Sequence, residues 1–139
     1  MNIQSLTLLD VQPSQFYISE KKLGGVEAWF DCGDLSNFEP IPIKMLNGLP
    51  VITDGHTRAV AALMHGVIHV PLVEESEELD WEMYRRCVAA CREKNIFSPA
   101  DLVGRVINEN QYVILWDRWC DQMQNEVLNE RKKKRIGGE

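Results

Sequence analysis

The stretch Leu49–Val73, LPVITDGHTRAVAALMHGVIHVPLV, constrains the fold more than any other part of the chain. Pro50–Thr53 is a short apolar run rich in β-branched residues, the pattern of a buried strand. Asp54-Gly55 breaks it, and the glycine permits a sharp bend and the close approach of another group. A helix is predicted from His56 to about His65, with Val60, Leu63 and Met64 on its apolar stripe and alanines at 59, 61 and 62. Gly66 stands where a helix C-cap belongs. Val67–Val73 reads as the next strand, and Pro71 places it at or near a sheet edge. Strand, helix and strand in succession predict a right-handed crossover between parallel strands.

This geometry has a chemical consequence. The first turn of a helix has backbone N–H groups with no partner inside the helix, and here they fall near His56, Thr57 and Arg58, directly after a glycine. Such an end attracts anions, phosphate above all. Thr57 adds a hydroxyl, and Arg58 a rigid cationic fork suited to phosphate or carboxylate. His56 could donate, accept or shuttle a proton near neutral pH. Asp54, at the strand's C-terminal end where ligands of open α/β sheets sit, could hold a metal ion or act as a base. The same residues also fit a structural role, with Asp54 capping the helix and Arg58 pairing with a surface carboxylate.

The segment ITDGHTRAVAALMHGVIHVPLV resembles the core motif of the ParB/sulfiredoxin superfamily (ParB-like nuclease domains), in which a strand leads into a G-x-x-R box, a helix and a closing strand. Its D-G-H-x-R form is most similar to the ParB-like free serine kinases, which carry D-G-H-H-R. The resemblance extends weakly upstream to about Leu6, through LLDVQPSQF and EPIPI, and so covers roughly the first 75 residues. It implies that Gly55, His56, Thr57 and Arg58 cradle the phosphates of a nucleotide and that Asp54 and His56 are catalytic. An active member would be a phosphotransferase, with Mg²⁺ bridging the nucleotide's phosphates and Asp54 as metal ligand or base. This chain departs from the pattern it resembles in three places. His56 stands where sulfiredoxins carry their reactive cysteine, Thr57 stands where the kinases have a second histidine, and the loop that holds their catalytic glutamate reads Gln12-Pro13-Ser14-Gln15. The alternative is a non-catalytic regulatory or protein-interaction module of the same fold.

Elsewhere the chain supplies architecture. Leu6–Val11 reads as a first strand, Ser14–Ser19 as either a second wall of the ligand site or a surface loop, and Glu20–Phe30 as a helix despite Gly24-Gly25. Cys32–Glu39 is a polar loop. Ile41–Leu46 and Leu49–Thr53 flank Asn47-Gly48, the strongest short-range signal for a two-residue hairpin. Glu74–Asp80, with five acids, reads as an exposed linker. Trp81–Glu93 is helical, with Trp81, Tyr84, Val88 and Cys91 on one stripe. Ser98 caps a short helix that begins at Pro99 and ends near Ile107, and Asn108-Glu109-Asn110 breaks it. The last helix runs from Gln111 to about Lys133 with Tyr112, Leu115, Trp116, Trp119, Met123 and Val127 recurring at helical spacing. This stripe fits core, or the seam of a homodimer. The expected fold is α+β: a ParB/sulfiredoxin-like small mixed sheet over residues 1–75, with a helical extension over 76–139 packed on it.

Charge narrows the partners. Of 15 basic residues, five lie in Arg131–Arg135, which leaves 10 basic against 20 acidic residues before that tail. So acidic a body is poorly suited to grip a nucleic-acid backbone, which argues against ParB-like DNA binding or nuclease activity. The tail itself fits a solvated helix end. Cys32, Cys87, Cys91 and Cys120 form no C-x-x-C pair and read as buried or free thiols, so no protein metal site is expected. No apolar run is long enough to span a bilayer and no signal peptide is apparent, so a cytoplasmic protein without a membrane partner is expected.

Overall fold

The computed structural model describes residues 2–137. Its chain forms two small sheets and a set of helices, a mixed α+β architecture. Strands β1 (Ile18–Ser19) and β5 (Val106–Ile107) pair in parallel, and β2 (Ile41–Leu46), β3 (Leu49–Ile52) and β4 (Leu72–Glu74) form a sheet of order β3-β2-β4. The helices are α1 (Glu20–Glu27), α2 (His56–Met64), α3 (Trp81–Glu93), α4 (Glu109–Tyr112) and α5 (Arg118–Gly137).

The β2–β3 hairpin forms as its turn chemistry predicts. Asn47 and Gly48 both take positive φ, 50° and 80°, as a two-residue primed turn requires. The pairing of β4 differs from expectation. β4 runs parallel to β2, with Ile41 opposite Leu72, while β2 and β3 are antiparallel. The strands joined by α2 are therefore antiparallel and separated by β2. The hairpin has already taken one side of β2, and the returning chain adds to the other. β4 is an edge strand, and Pro71 just before it accepts a hydrogen bond from the Ile41 N–H. Most of Val67–Pro71 lies outside the ladder, so the strand is shorter than predicted.

Leu6–Val11 is not a strand. The Thr7 N–H donates to the Asp10 carboxylate at 2.7 Å and the Leu9 N–H to the Thr7 hydroxyl, so local side-chain bonds fold the segment into a turn. Only Gln12 joins the sheet, bridging Val51 in parallel. Pro99–Arg105 is a 3₁₀ helix with a Ser98/Asp101 capping box, and it gives way to β5 instead of continuing to Ile107. The final helix starts two residues early, at Glu109, with Asn108 as its cap. It contains a π-turn at Val113–Asp117 that rotates Leu115 outward, leaving it 42% exposed, while Tyr112, Trp116, Met123 and Val127 stay inside.

Helix α2 sits between two apolar clusters. Val60 and Ala61 join one with Phe16, Ile18, Cys91, Leu102 and Trp116, and Ala59 and Ala62 join the other with Leu8, Ile41 and Ile52. Residues 59–62 are fully buried, which is why small alanines dominate there. Phe16 locks the C-terminal helix in place, edge-on to Trp116 and Trp119 at 4.9 and 4.6 Å between ring centres. Arg131 is not a free tail cation: its guanidinium holds both oxygens of Asp80, the α3 cap, at 2.8 and 2.9 Å. No helix among the described residues is long and apolar enough to cross a membrane.

Candidate anion-binding site

The bend after β3 is organised by Gly55, which takes φ +87° as the N-cap of α2 and supplies no side-chain cap. The first intrahelical bond runs from the Ala59 N–H to the Gly55 carbonyl at 3.0 Å, leaving the amides of residues 56–58 without acceptors in the helix. Neither structural role considered for this turn occurs. Asp54 is exposed and does not cap the helix, and among the described residues Arg58 forms no ion pair.

Arg58 instead folds back over the glycine. A Cβ at position 55 would lie 2.6 Å from Arg58 Nη2, so the missing side chain is what makes room for the guanidinium. Nη2 donates to the Pro40 carbonyl at 3.3 Å, while Nε is buried with no protein partner. A cavity of about 240 Å³ opens in front of the turn, lined by Gln15, Lys22, Val26, Tyr112 and residues 54–58. Lys22, from α1, carries its ammonium 5.2 Å from the centre of the Tyr112 ring, a cation–π contact that holds it beside the cavity. The wall thus carries two cations, the hydroxyl of Thr57 and the open helix start, with the Asp54 carboxylate opposing them.

His56 holds the turn from behind. Its Nε2 accepts the Ser14 N–H at 2.9 Å. Since a backbone N–H can only donate, Nε2 carries no proton, and the neutral ring is protonated on Nδ1. Burial above all, and then the Arg58 charge, lower its pKa from 6.5 to about 3. His56 is therefore a neutral acceptor across the physiological range and does not titrate near neutrality as its unperturbed chemistry suggests. The Ser14 hydroxyl donates to the Ile52 carbonyl at 2.7 Å, so one serine fastens both the end of β3 and the start of α2. Thr53 is fastened from the other side: its hydroxyl donates to Glu75 at 2.6 Å and its carbonyl accepts from the Tyr84 hydroxyl at 3.1 Å.

The structure brings Asp54, Gly55, His56, Thr57 and Arg58 to one cavity, together with Gln15 from the segment read as a second wall. Sequence reasoning missed Lys22 and Tyr112, whose neighbouring residues show no motif. Gln12 is buried and bound to the end of α3: it donates to the Ile96 carbonyl and accepts from Arg92. The cysteines do not converge with other ligands, and among the described residues no group of three or more His, Cys, Asp or Glu is placed to hold a metal ion. Burial pushes the thiols of Cys87, Cys91 and Cys120 up to about 12.

No family model and no curated protein matches the chain. Among solved structures it is similar to the crystal structure of protein Atu1540 from Agrobacterium tumefaciens, at 13% sequence identity and a TM-score of 0.41. That match takes in 75% of this chain and 60% of the other.

Proposed function

We propose that this chain is a ParB/sulfiredoxin-like domain that binds a phosphate-bearing small molecule, a nucleotide in the first instance, at Gly55–Arg58. The observation that carries this reading is the uncapped start of α2 opening on a cavity flanked by Arg58 and Lys22. A phosphate oxygen is the acceptor that such a set of donors lacks. Asp54, exposed at the mouth, fits a Mg²⁺ ion carried in with the nucleotide, whose role would be to neutralise phosphate charge. The chain's own residues would position the anion: the amides and Thr57 orient it, the two cations offset its charge, and His56 keeps the turn rigid.

Binding without turnover is the second reading, and His56 favours it. A histidine buried, neutral and committed to Ser14 is poorly placed to move protons, and the Gln12–Gln15 loop supplies no carboxylate. The deciding experiment is thermal unfolding with and without ATP, ADP or inorganic phosphate. A ligand at 100 times its Kd stabilises a protein by about 2.7 kcal/mol. In Arg58→Ala the unliganded protein should stay within about 1 kcal/mol of the parent, and the ligand-induced shift should disappear. A shift that persists unchanged places the anion elsewhere. Phosphate release or transfer accompanying binding selects the phosphotransferase over the binding module.

A further inference from the structure

A second cavity, of about 340 Å³, lies on the other side of the DGHTR turn, between the end of β3 and helices α3 and α5. It shares Gln15, Asp54 and His56 with the cavity that faces Arg58, so the two meet across that rim. Its walls differ in chemistry. Where the first cavity offers Arg58 and Lys22, the second is lined by no Lys or Arg, and Met83, Cys87, Trp116, Cys120 and Met123 form its apolar side. Its volume falls within the roughly 300–1,000 Å³ of small-molecule sites, and its apolar wall faces a polar side that includes the Asp54 and Asp80 carboxylates. The thiols are raised to about 12 by burial and act there as small apolar surfaces, not as nucleophiles. Methionine and cysteine also suit a flat π-system, which sulfur contacts favourably.

We infer that this cavity receives the flat, largely apolar body of a phosphomonoester whose phosphate sits at Gly55–Arg58. The inference rests on the phosphate reading above and narrows it from any phosphate-bearing molecule to an aromatic one. The basic cavity alone is too polar to hold such a ring, and the apolar one alone has no cation for a phosphate. A ligand spanning the Gln15/Asp54/His56 rim satisfies both.

The test compares inorganic phosphate with phenyl phosphate and 1-naphthyl phosphate by calorimetry on the full chain. The parent protein should bind the aryl esters at least about tenfold tighter than inorganic phosphate, and naphthyl at least as tightly as phenyl. Met83→Trp, a half-buried position on the cavity wall, should fill the space and erase the aryl advantage while leaving the inorganic phosphate affinity within about twofold. Gln124→Trp, on the exposed face of α5 at the same cavity, is the second variant should the first misfold. Inorganic phosphate binding with no aryl advantage overturns this inference and leaves the phosphate site standing. Aryl binding that survives both substitutions also overturns it. Failure of all three ligands to bind overturns this inference, and if ATP and ADP also fail to bind, the phosphate reading with it.

Discussion

His56 makes stability depend on pH between its unfolded and folded pKa values. Its pKa is 6.5 in an exposed chain and about 3 in the folded protein, through burial first and the Arg58 charge second. Between those values the unfolded chain binds a proton that the folded chain refuses, so stability falls as pH falls. The contribution is complete above the unfolded pKa and is lost progressively as pH drops toward the folded one. The whole shift corresponds to about 5 kcal/mol. Over the experimentally clean part, from roughly pH 7.5 to pH 5, the linkage relation gives a loss of about 2 kcal/mol. Asp34 and Asp80, whose pKa values are lowered from 3.8 by hydrogen bonds from Ser36 and from Arg131 respectively, add their own slope only at lower pH. The assay is urea unfolding at several pH values on the parent and on His56→Gln. A glutamine oxygen can accept the Ser14 N–H but does not titrate. The parent should lose about 2 kcal/mol across the window, and the variant, though less stable overall, should lose little of what remains. A parent with a flat profile, or a variant with the parent's slope, refutes the neutral, buried imidazole and with it the account of how the turn is held.

Two further substitutions probe the turn directly. Gly55→Ala should cost about 1–2 kcal/mol, because an L-residue is strained at φ +87°. Its Cβ also displaces the guanidinium, so the phosphate-induced thermal shift should fall as well; full stability with intact phosphate binding would show that the bend has another conformation. Asp54→Asn should strengthen inorganic phosphate binding several-fold in metal-free buffer by removing a like charge from the mouth, measured by calorimetry, and unchanged affinity would put the carboxylate out of range of the anion.

The elements that could be read from sequence are those specified by adjacent residues. Asn47-Gly48 dictates its hairpin, Ser98-Pro99 its capped start, Gly66 its helix end with φ +77°, and Trp81–Glu93 its helix to the residue. Partner choice could not be read this way. A hairpin leaves one edge free on each strand; the backbone of Gln12 bonds Pro50 and Ile52 on the outer edge of β3, so β4 pairs with β2, a choice local pattern does not address. Leu6–Val11 misled because its apolar composition suits a strand and Leu8 and Val11 are buried, while Leu9 is exposed and Thr7 and Asp10 spend their side chains on a turn. In the site, the residues contiguous in sequence were visible and the distant ones were not. Lys22 and Tyr112 are brought to the cavity by the packing of α1 and the C-terminal helix around Phe16, and nothing in EKKL or NQYV marks either as part of a site.

The start of α2 breaks a local rule, and the breach is what makes the functional reading physical. An aspartate at the N-cap surpasses a glycine there by only about a few tenths of a kcal/mol, and Asp54 stands one residue short of that place. The chain instead puts Gly55 there, in a left-handed conformation, and leaves Asp54 in solvent. The helix tolerates the loss because its position is fixed by other means: residues 59–62 are buried on both sides, and His56 is hydrogen-bonded to the Ser14 backbone from within the protein. Stability that a cap would supply comes from burial behind the turn, and the amides in front stay open to an outside acceptor. Glycine is the residue this bend requires, since φ +87° strains any side chain and a Cβ would meet Arg58 Nη2 at 2.6 Å, and its lack of a capping side chain is what leaves the first-turn amides open.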